Sequence, residues 1–358
     1  MMESAHASQP SVVRSRVQAS LDLHLPPVIF GTSALGNLYR PMAEPMRRAL
    51  IAECVAAANP AVLDCAGKYG AGLALEAIGR SLRALDVAPA NVVISNKLGW
   101  LRVPLRGTEP TFEPGAWVDL EHDAEQAISE EGILACWRQG CALLGDPYRP
   151  SLVSVHDPDE YLARAASADE RASRLGDIVG AYRSLHALKR AGEVAAIGIG
   201  AKDWRVIREL VDRVDIDWAM LACSFTILHH PPEVLALIAE LRARGVTVIN
   251  SAVFHAGFLT GGAFFDYRRP DPRDPADQQL FAWRKRFIAA CQDWDVEPAA
   301  ACVRFARSAP GVASIALNTT APARVRSNAA LAAVEIPAGF WTRLKDLGLV
   351  RRDYPYLG

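Results

Sequence analysis

No apolar run among the 358 residues reaches the roughly 18 needed to span a bilayer, and the first residues, MMESAHASQPSVVRSRVQ, lack the apolar core of a secretory leader. A cytoplasmic protein is therefore expected. Seven cysteines occur, an odd number never spaced as CxxC, which fits neither a disulfide framework nor a zinc ribbon. Neither HxH nor HExxH is present, so the HDPD run at 156–159 is not expected to bind metal. With a net charge of -1 there is no concentrated basic face for nucleic acid. No Ser/Gly-rich linker divides the chain. At 51% hydrophobic and 22% charged residues, it has the composition of one well-packed globule.

What is present is alternation. Short β-rich runs fall at 28–33, 62–66, 92–97, 152–157, 196–200, 218–223, 246–252 and 314–318. Segments with helical spacing lie between them, for example 46–58, 72–85, 132–145, 178–192 and 231–245. Gly192 and Gly245 are positioned to stop two helices, while Asp203 and Thr320 are positioned to start two. Eight such units predict an α/β fold, a single (β/α)8 TIM barrel over residues 28–345. Residues 1–27 would be an N-terminal extension, with a short hairpin closing the barrel's bottom, and 346–358 a C-terminal tail. The connections after strands three and seven, about 98–129 and 254–277, are too long for simple turns; aromatic residues in them suggest lids.

Asp64, Lys97 and His156 fall at or near the ends of three of the apolar runs, and Tyr69 follows the first of these. In a closed parallel barrel those ends share one face, so a carboxylate, a phenol, an ammonium and an imidazole would meet in one pocket. Taken singly, an Asp or Lys at a strand end is as well read as a structural ion pair. Cys65, one residue on from Asp64, should point away from the pocket toward the helices. His229 and His230 are expected at the rim.

The ordered segments GTSALGNLYR, LDCAGKYGAGLALEAIGRSL, VVISNKLGW, VHDPDEY and GEVAAIGIGAKDW resemble the aldo-keto reductase superfamily, and within it the aldose dehydrogenase branch, over about residues 28–333. That resemblance implies a barrel that binds a nicotinamide cofactor without a Rossmann domain. It also implies that Asp64, Tyr69, Lys97 and His156 form a catalytic tetrad. The chemistry agrees: removing hydride from a carbinol leaves a proton for a base to take. Lys97 would lower the phenol's pKa, Asp64 would hold Lys97 charged, and His156 would hydrogen-bond the reacting oxygen.

No GxGxxG stands in a nucleotide-binding context, so phosphate is expected where barrels hold it, after the last strands, at a helix starting near Ala321. Asn318, Thr319, Thr320, Arg324 and Asn328 would face the adenosine end, with Thr32, Gly200 and Gly257 completing the set. Relatives commonly carry Lys where Asn318 stands, which favours NAD, while Arg324 and Arg326 keep NADP open. Gly200, Ala201, Ala222 and Ser251 are small where relatives place the residues that hold the nicotinamide, and Phe254 is expected to supply the stacking face. Trp100 and His255 are expected to line the substrate pocket.

The substrate implied is a small sugar, L-fucose or D-arabinose in type, oxidised at its anomeric hydroxyl to the lactone. A pyridoxal dehydrogenase, a general aldehyde or ketone reductase, or a non-enzymatic cofactor-sensing module are the alternatives. Oligomeric state is not legible.

Overall fold

The computed structural model describes residues 23–357, and within them eight strands close into a parallel barrel. Its staves are β1 (Val28–Gly31), β2 (Ala61–Ala66), β3 (Val92–Leu98), β6 (Leu152–His156), β7 (Ala196–Ala201), β8 (Trp218–Ala222), β9 (Thr247–Ser251) and β10 (Val312–Asn318). The order around the barrel is β1-β10-β9-β8-β7-β6-β3-β2. Each stave overlaps one of the eight runs that alternation picks out. The expected N-terminal hairpin lies outside the described residues.

β-branched and small residues fill the staves because every stave is covered on both faces, inside by the opposing strands and outside by helices. The lower interior is packed by Ile29, Val62, Leu152, Ala196, Trp218, Met220, Ile249 and Ala316, with Leu23 and Leu25 against it from below. Trp218 is fully buried and pairs in register with Gly198, where an added Cβ would lie 2.2 Å from the indole. That glycine gives the large ring its space. Cys65 points outward, as expected, into a cluster with Leu50, Ile51 and Leu75 of the surrounding helices.

Local punctuation largely follows the expected chemistry. Gly192 and Gly245, at φ 75° and 73°, lie just past helices Ala168–Arg190 and Pro232–Ala243. The Asp203 side chain accepts from the Arg205 N–H and caps Trp204–Val211. The last barrel helix differs. It spans only Arg324–Ala330, preceded by Ala323, so Thr320 is not its N-cap and it does not begin near Ala321. Instead Thr319 Oγ1 accepts from the Ala321 N–H at 3.2 Å, and Arg324 and Val325 donate back to Ala321 and Pro322, forming turns that delay the helix.

The long connection after β3 is not wholly loop. Trp100–Pro104 (β4) and His122–Gln126 (β5) pair antiparallel, carrying the intervening segment out over the barrel mouth. Trp100, Phe112, Ala116, Trp117 and Ala124 cluster there, with Tyr39, Tyr69 and Tyr267 packed on them. The segment after β9 reaches the loop after β1, where Tyr39 and Phe264 stack at 4.0 Å. At the other end of the chain, Leu349, Val350 and Tyr354 of the tail are buried in the main core. His230 is part of that packing and not a rim residue: it is 6% exposed, its ring lies 4.8 Å from Phe305, and its Nε2 accepts from the Arg351 N–H.

Candidate active site

The C-terminal ends of β2, β3 and β6 bring Asp64, Lys97 and His156 to one face, because residues of like parity on neighbouring parallel strands all point inward. Tyr69 stands above them on the turn after β2. That turn rests directly on the loop after β1: a Cβ on Gly36 would lie 2.6 Å from the Tyr69 carbonyl carbon, and one on Gly70, at φ +61°, would lie 2.4 Å from the Gly36 oxygen. Only glycines allow the two backbones to close to that distance.

Lys97 Nζ donates to both carboxylate oxygens of Asp64, at 2.8 and 2.7 Å, and to the Cys65 carbonyl at 3.1 Å. The same nitrogen lies 4.8 Å from the centroid of the Tyr69 ring. His156 meets Tyr69 edge to face, with ring centroids 6.0 Å apart. Asp64 is 3% exposed, Lys97 2% and His156 8%, while Tyr69 keeps part of its surface open. All four side chains therefore meet at one place at the barrel mouth.

Their electrostatics follow from that burial. Desolvation pulls the Lys97 ammonium down, but Asp64 and Tyr69 outweigh it and leave the amine above its ordinary value, so it stays charged. Burial pushes the Tyr69 phenol up to about 12, against Lys97, which lowers it, and with Asp64, which raises it. The sequence led to the opposite net sign: the expected lowering by Lys97 is present, but desolvation and the nearby carboxylate exceed it. His156 is pulled down to about 3, chiefly by burial, so its imidazole is neutral at ordinary pH. A neutral imidazole offers one N–H and one lone pair to a reacting oxygen.

Sequence reasoning missed a second charged cluster beside this one. Lys68, the neighbour of Tyr69, is 2% exposed and pairs with Asp157 at 2.7 Å, Glu113 at 2.8 Å and Glu160 at 3.1 Å. Lys202, after β7, joins Glu160 at 2.6 Å and Glu113 at 3.2 Å. Five side chains from four loops are thus tied together at the mouth. Burial pushes the Asp157 carboxyl up, but His156, Lys68 and Lys202 outweigh it and hold it well below the usual range. The adjacency of Lys68 to Tyr69 and of Asp157 to His156 was a visible hint; Glu113, inside the long connection, gave none.

Trp100, expected on the substrate wall, is 2% exposed; its Nε1 donates to Asp157 Oδ2 at 3.2 Å and Lys68 lies over its ring. His255 is 3% exposed, with Nε2 against Thr226 Oγ1 and Nδ1 against Asp266. Phe254, expected to stack on a nicotinamide, is half-buried against the main core.

The other expected cofactor residues fall in two places. Gly200 faces the barrel interior, where a Cβ would lie 3.3 Å from Lys97 Cδ, and Ala222 and Ser251, paired in register, are also small; Ala201, one residue on, turns outward into the main core. Thr32, Asn318, Thr319 and Asn328 line one shallow cleft between the ends of β1 and β10 and the outer helices, with Leu35, Ile51 and Val325 as apolar walls. Two amides, two hydroxyls and apolar walls suit a nucleoside. Arg40, missed in the sequence, donates to Thr320 Oγ1, and the exposed Arg324 opens the nearby helix. That helix is too short to serve as an anion site by its dipole, so the guanidiniums would carry that role. Gly257 caps the short 3-10 turn Phe258–Thr260 at φ 88°.

The model of the aldo/keto reductase family matches residues 27–348. The chain is 28% identical over 334 residues to pyridoxal 4-dehydrogenase from Microbacterium luteolum, covering 89% of this chain and 93% of that protein. It is 29% identical over 348 residues to D-threo-aldose 1-dehydrogenase from a Pseudomonas species, covering 93% and 97%. Among solved structures it resembles glycerol dehydrogenase from Gluconobacter oxydans, with TM-score 0.67, 15% identity and coverage of 94% and 95%. It also resembles the holo form of an aldo-keto reductase from Bacillus halodurans, with TM-score 0.64, 18% identity and coverage of 91% and 92%.

Proposed function

The chain belongs to the aldo/keto reductase family, and from that premise we propose that this oxidoreductase oxidises the anomeric hydroxyl of a small aldose, L-fucose or D-arabinose in type, to the lactone. The observation that carries this reading is the Lys97 ammonium, clamped by Asp64 and 4.8 Å from the Tyr69 ring, with His156 against the same ring.

In this reading Tyr69 removes the proton of the sugar hydroxyl. Lys97 stabilises the phenolate as it forms, and Asp64 keeps Lys97 charged and aimed. His156, neutral, hydrogen-bonds the reacting oxygen and orients the carbinol. A bound nicotinamide supplies the hydride acceptor. Gly200 and Ser251 would seat its ring, with Phe254 and Gly257 in the segment after β9 closing on it. Thr32, Asn318, Thr319, Thr320, Arg324 and Asn328 would hold the adenosine end. Asn318, neutral, favours NAD; Arg40 and Arg324 would be the groups to bind a 2′-phosphate in NADP. Trp100 would approach the sugar through movement of the loop that buries it, while His255 stays held by Thr226 and Asp266.

A second reading, oxidation of pyridoxal, is favoured by the similarity to pyridoxal 4-dehydrogenase at 28% identity. Side-by-side initial rates on L-fucose, D-arabinose and pyridoxal, each with NAD and NADP, separate the two. We expect the highest kcat/KM on an aldose with NAD. Turnover of pyridoxal alone would replace the sugar reading with the second, and no reduced cofactor from any pair would refute both.

A further inference from the structure

Outside the tetrad, three side chains of different type converge at the mouth. Cys223 follows β8, and His255 and Asp266 come from the segment after β9; the donor atoms of all three lie within 4.8 Å of one another. Asp266 Oδ1 is 3.2 Å from Cys223 Sγ, and both Asp266 oxygens are 3.1 Å from His255 Nδ1. We propose that Cys223, His255 and Asp266 form a three-ligand site for a zinc-class divalent cation, with a fourth coordination position left open.

The donor set decides the class of ion. A thiolate with an imidazole is a poor set for magnesium or calcium and a good one for zinc, while one carboxylate completes a three-protein-ligand arrangement. Metal–ligand bonds of about 2.0–2.3 Å place tetrahedral donors roughly 3.3–3.7 Å apart. The two Asp266 contacts of 3.1–3.2 Å would open by a few tenths of an ångström, and the Cys223 and His255 donors, which lie within 4.8 Å of each other, would draw together around the ion.

Other features support the assignment. The far ring nitrogen of His255 is fixed by Thr226 Oγ1 at 2.9 Å, and Thr226 is itself held by the His229 N–H at 3.0 Å. A hydroxyl can accept from or donate to that nitrogen, so the ring keeps its aim in either tautomer, as the outer partner of a metal-bound imidazole must. Cys223, His255 and Asp266 all have left-handed backbone conformations, with φ 58°, 47° and 41°. Such strain in three non-glycine residues persists where surrounding structure holds it, which is common at binding sites. Phe265 stacks on His255 at 4.8 Å, and the Asp266 side chain is 32% exposed, providing an entry path.

The charges balance. Binding a divalent ion expels the Cys223 thiol proton to solvent, and thiolate, carboxylate and neutral imidazole then neutralise the ion. Lys202 is a cation that acts on both Cys223 and Asp266, and Glu113 and Glu160 already pair it. A bound ion would fasten the lid segment after β9 to the end of β8. The sequence offered no such site, since its donors are 32 and 11 residues apart in the chain.

The test uses the full chain, stripped with a chelator and dialysed against zinc or cobalt. One ion per chain is expected, with a thiolate-to-cobalt charge-transfer band and a zinc-dependent rise in melting temperature. Cys141→Ser should keep both ion and band. Cys223→Ser should lose the band and the stoichiometric ion, as should Asp266→Asn. Thr226→Val should weaken binding about 10–100-fold. Circular dichroism of each variant separates loss of the site from loss of the fold. Absence of stoichiometric metal in the wild type, or binding that persists unchanged in Cys223→Ser and Asp266→Asn, would overturn the site.

Discussion

Tyr69→Phe is expected to turn over at no more than about 1% of the wild-type rate while folding normally. A positioned acid or base contributes about 10²–10⁴ in rate, and phenylalanine removes the only group of this ring that carries a proton. The ring's own packing survives, since stacking on Trp117 at 5.8 Å and the edge contact with His156 do not involve the hydroxyl. Losing one hydrogen bond costs about 0.5–1.5 kcal/mol, within what a domain of this size tolerates. KM should change little and kcat should fall, the signature of an interaction made in the transition state. Retained turnover above a few per cent would remove Tyr69 from the chemistry.

Lys97→Met should damage stability and catalysis together, and a second substitution should separate them. Removing the ammonium leaves the Asp64 carboxylate 3% exposed with its partner gone, a loss of about 3–5 kcal/mol for a broken buried pair. It also removes the cation that lowers the phenol, raising the phenol's pKa by about 1–3 units and slowing proton removal about 10–1000-fold at a fixed pH below that value. Lys97→Met/Asp64→Asn should recover most of the denaturation midpoint, because no lone charge remains buried, and none of the rate. If activity returned with stability, Lys97 would be a structural residue and not a catalytic one.

The barrel was legible because each stave is an apolar run of about one strand's length followed by a helical period, and three of those runs carry near their C-terminal end a polar residue that strand parity turns inward. Asp64, Lys97 and His156 could be placed for that reason alone. The hairpin over the mouth was not legible: HDAEQ lacks β-branched residues, and its partner ends on Pro104, so neither strand of the pair carries a period-two signal. Thr320 failed as a cap because its neighbour Thr319 made the local bond first. Lys68, Glu113, Asp157, Glu160 and Lys202 meet across separations such as 89 residues, for which no local spacing exists. The sign of the Tyr69 shift likewise depends on burial around the hydroxyl, a property of the closed mouth and of no segment.

The central claim, that the Tyr69 phenol moves the proton while His156 stays neutral, is tested most directly by the pH dependence of kcat/KM for aldose oxidation. A base must be deprotonated to act, and this phenol is pushed up to about 12, so the rate should climb steadily through the alkaline range and level only as pH nears that value. His156, pulled down to about 3, should add no inflection between about pH 5 and 8. A profile that bends near pH 6.5 and is flat above it would assign the proton to an imidazole and contradict the account.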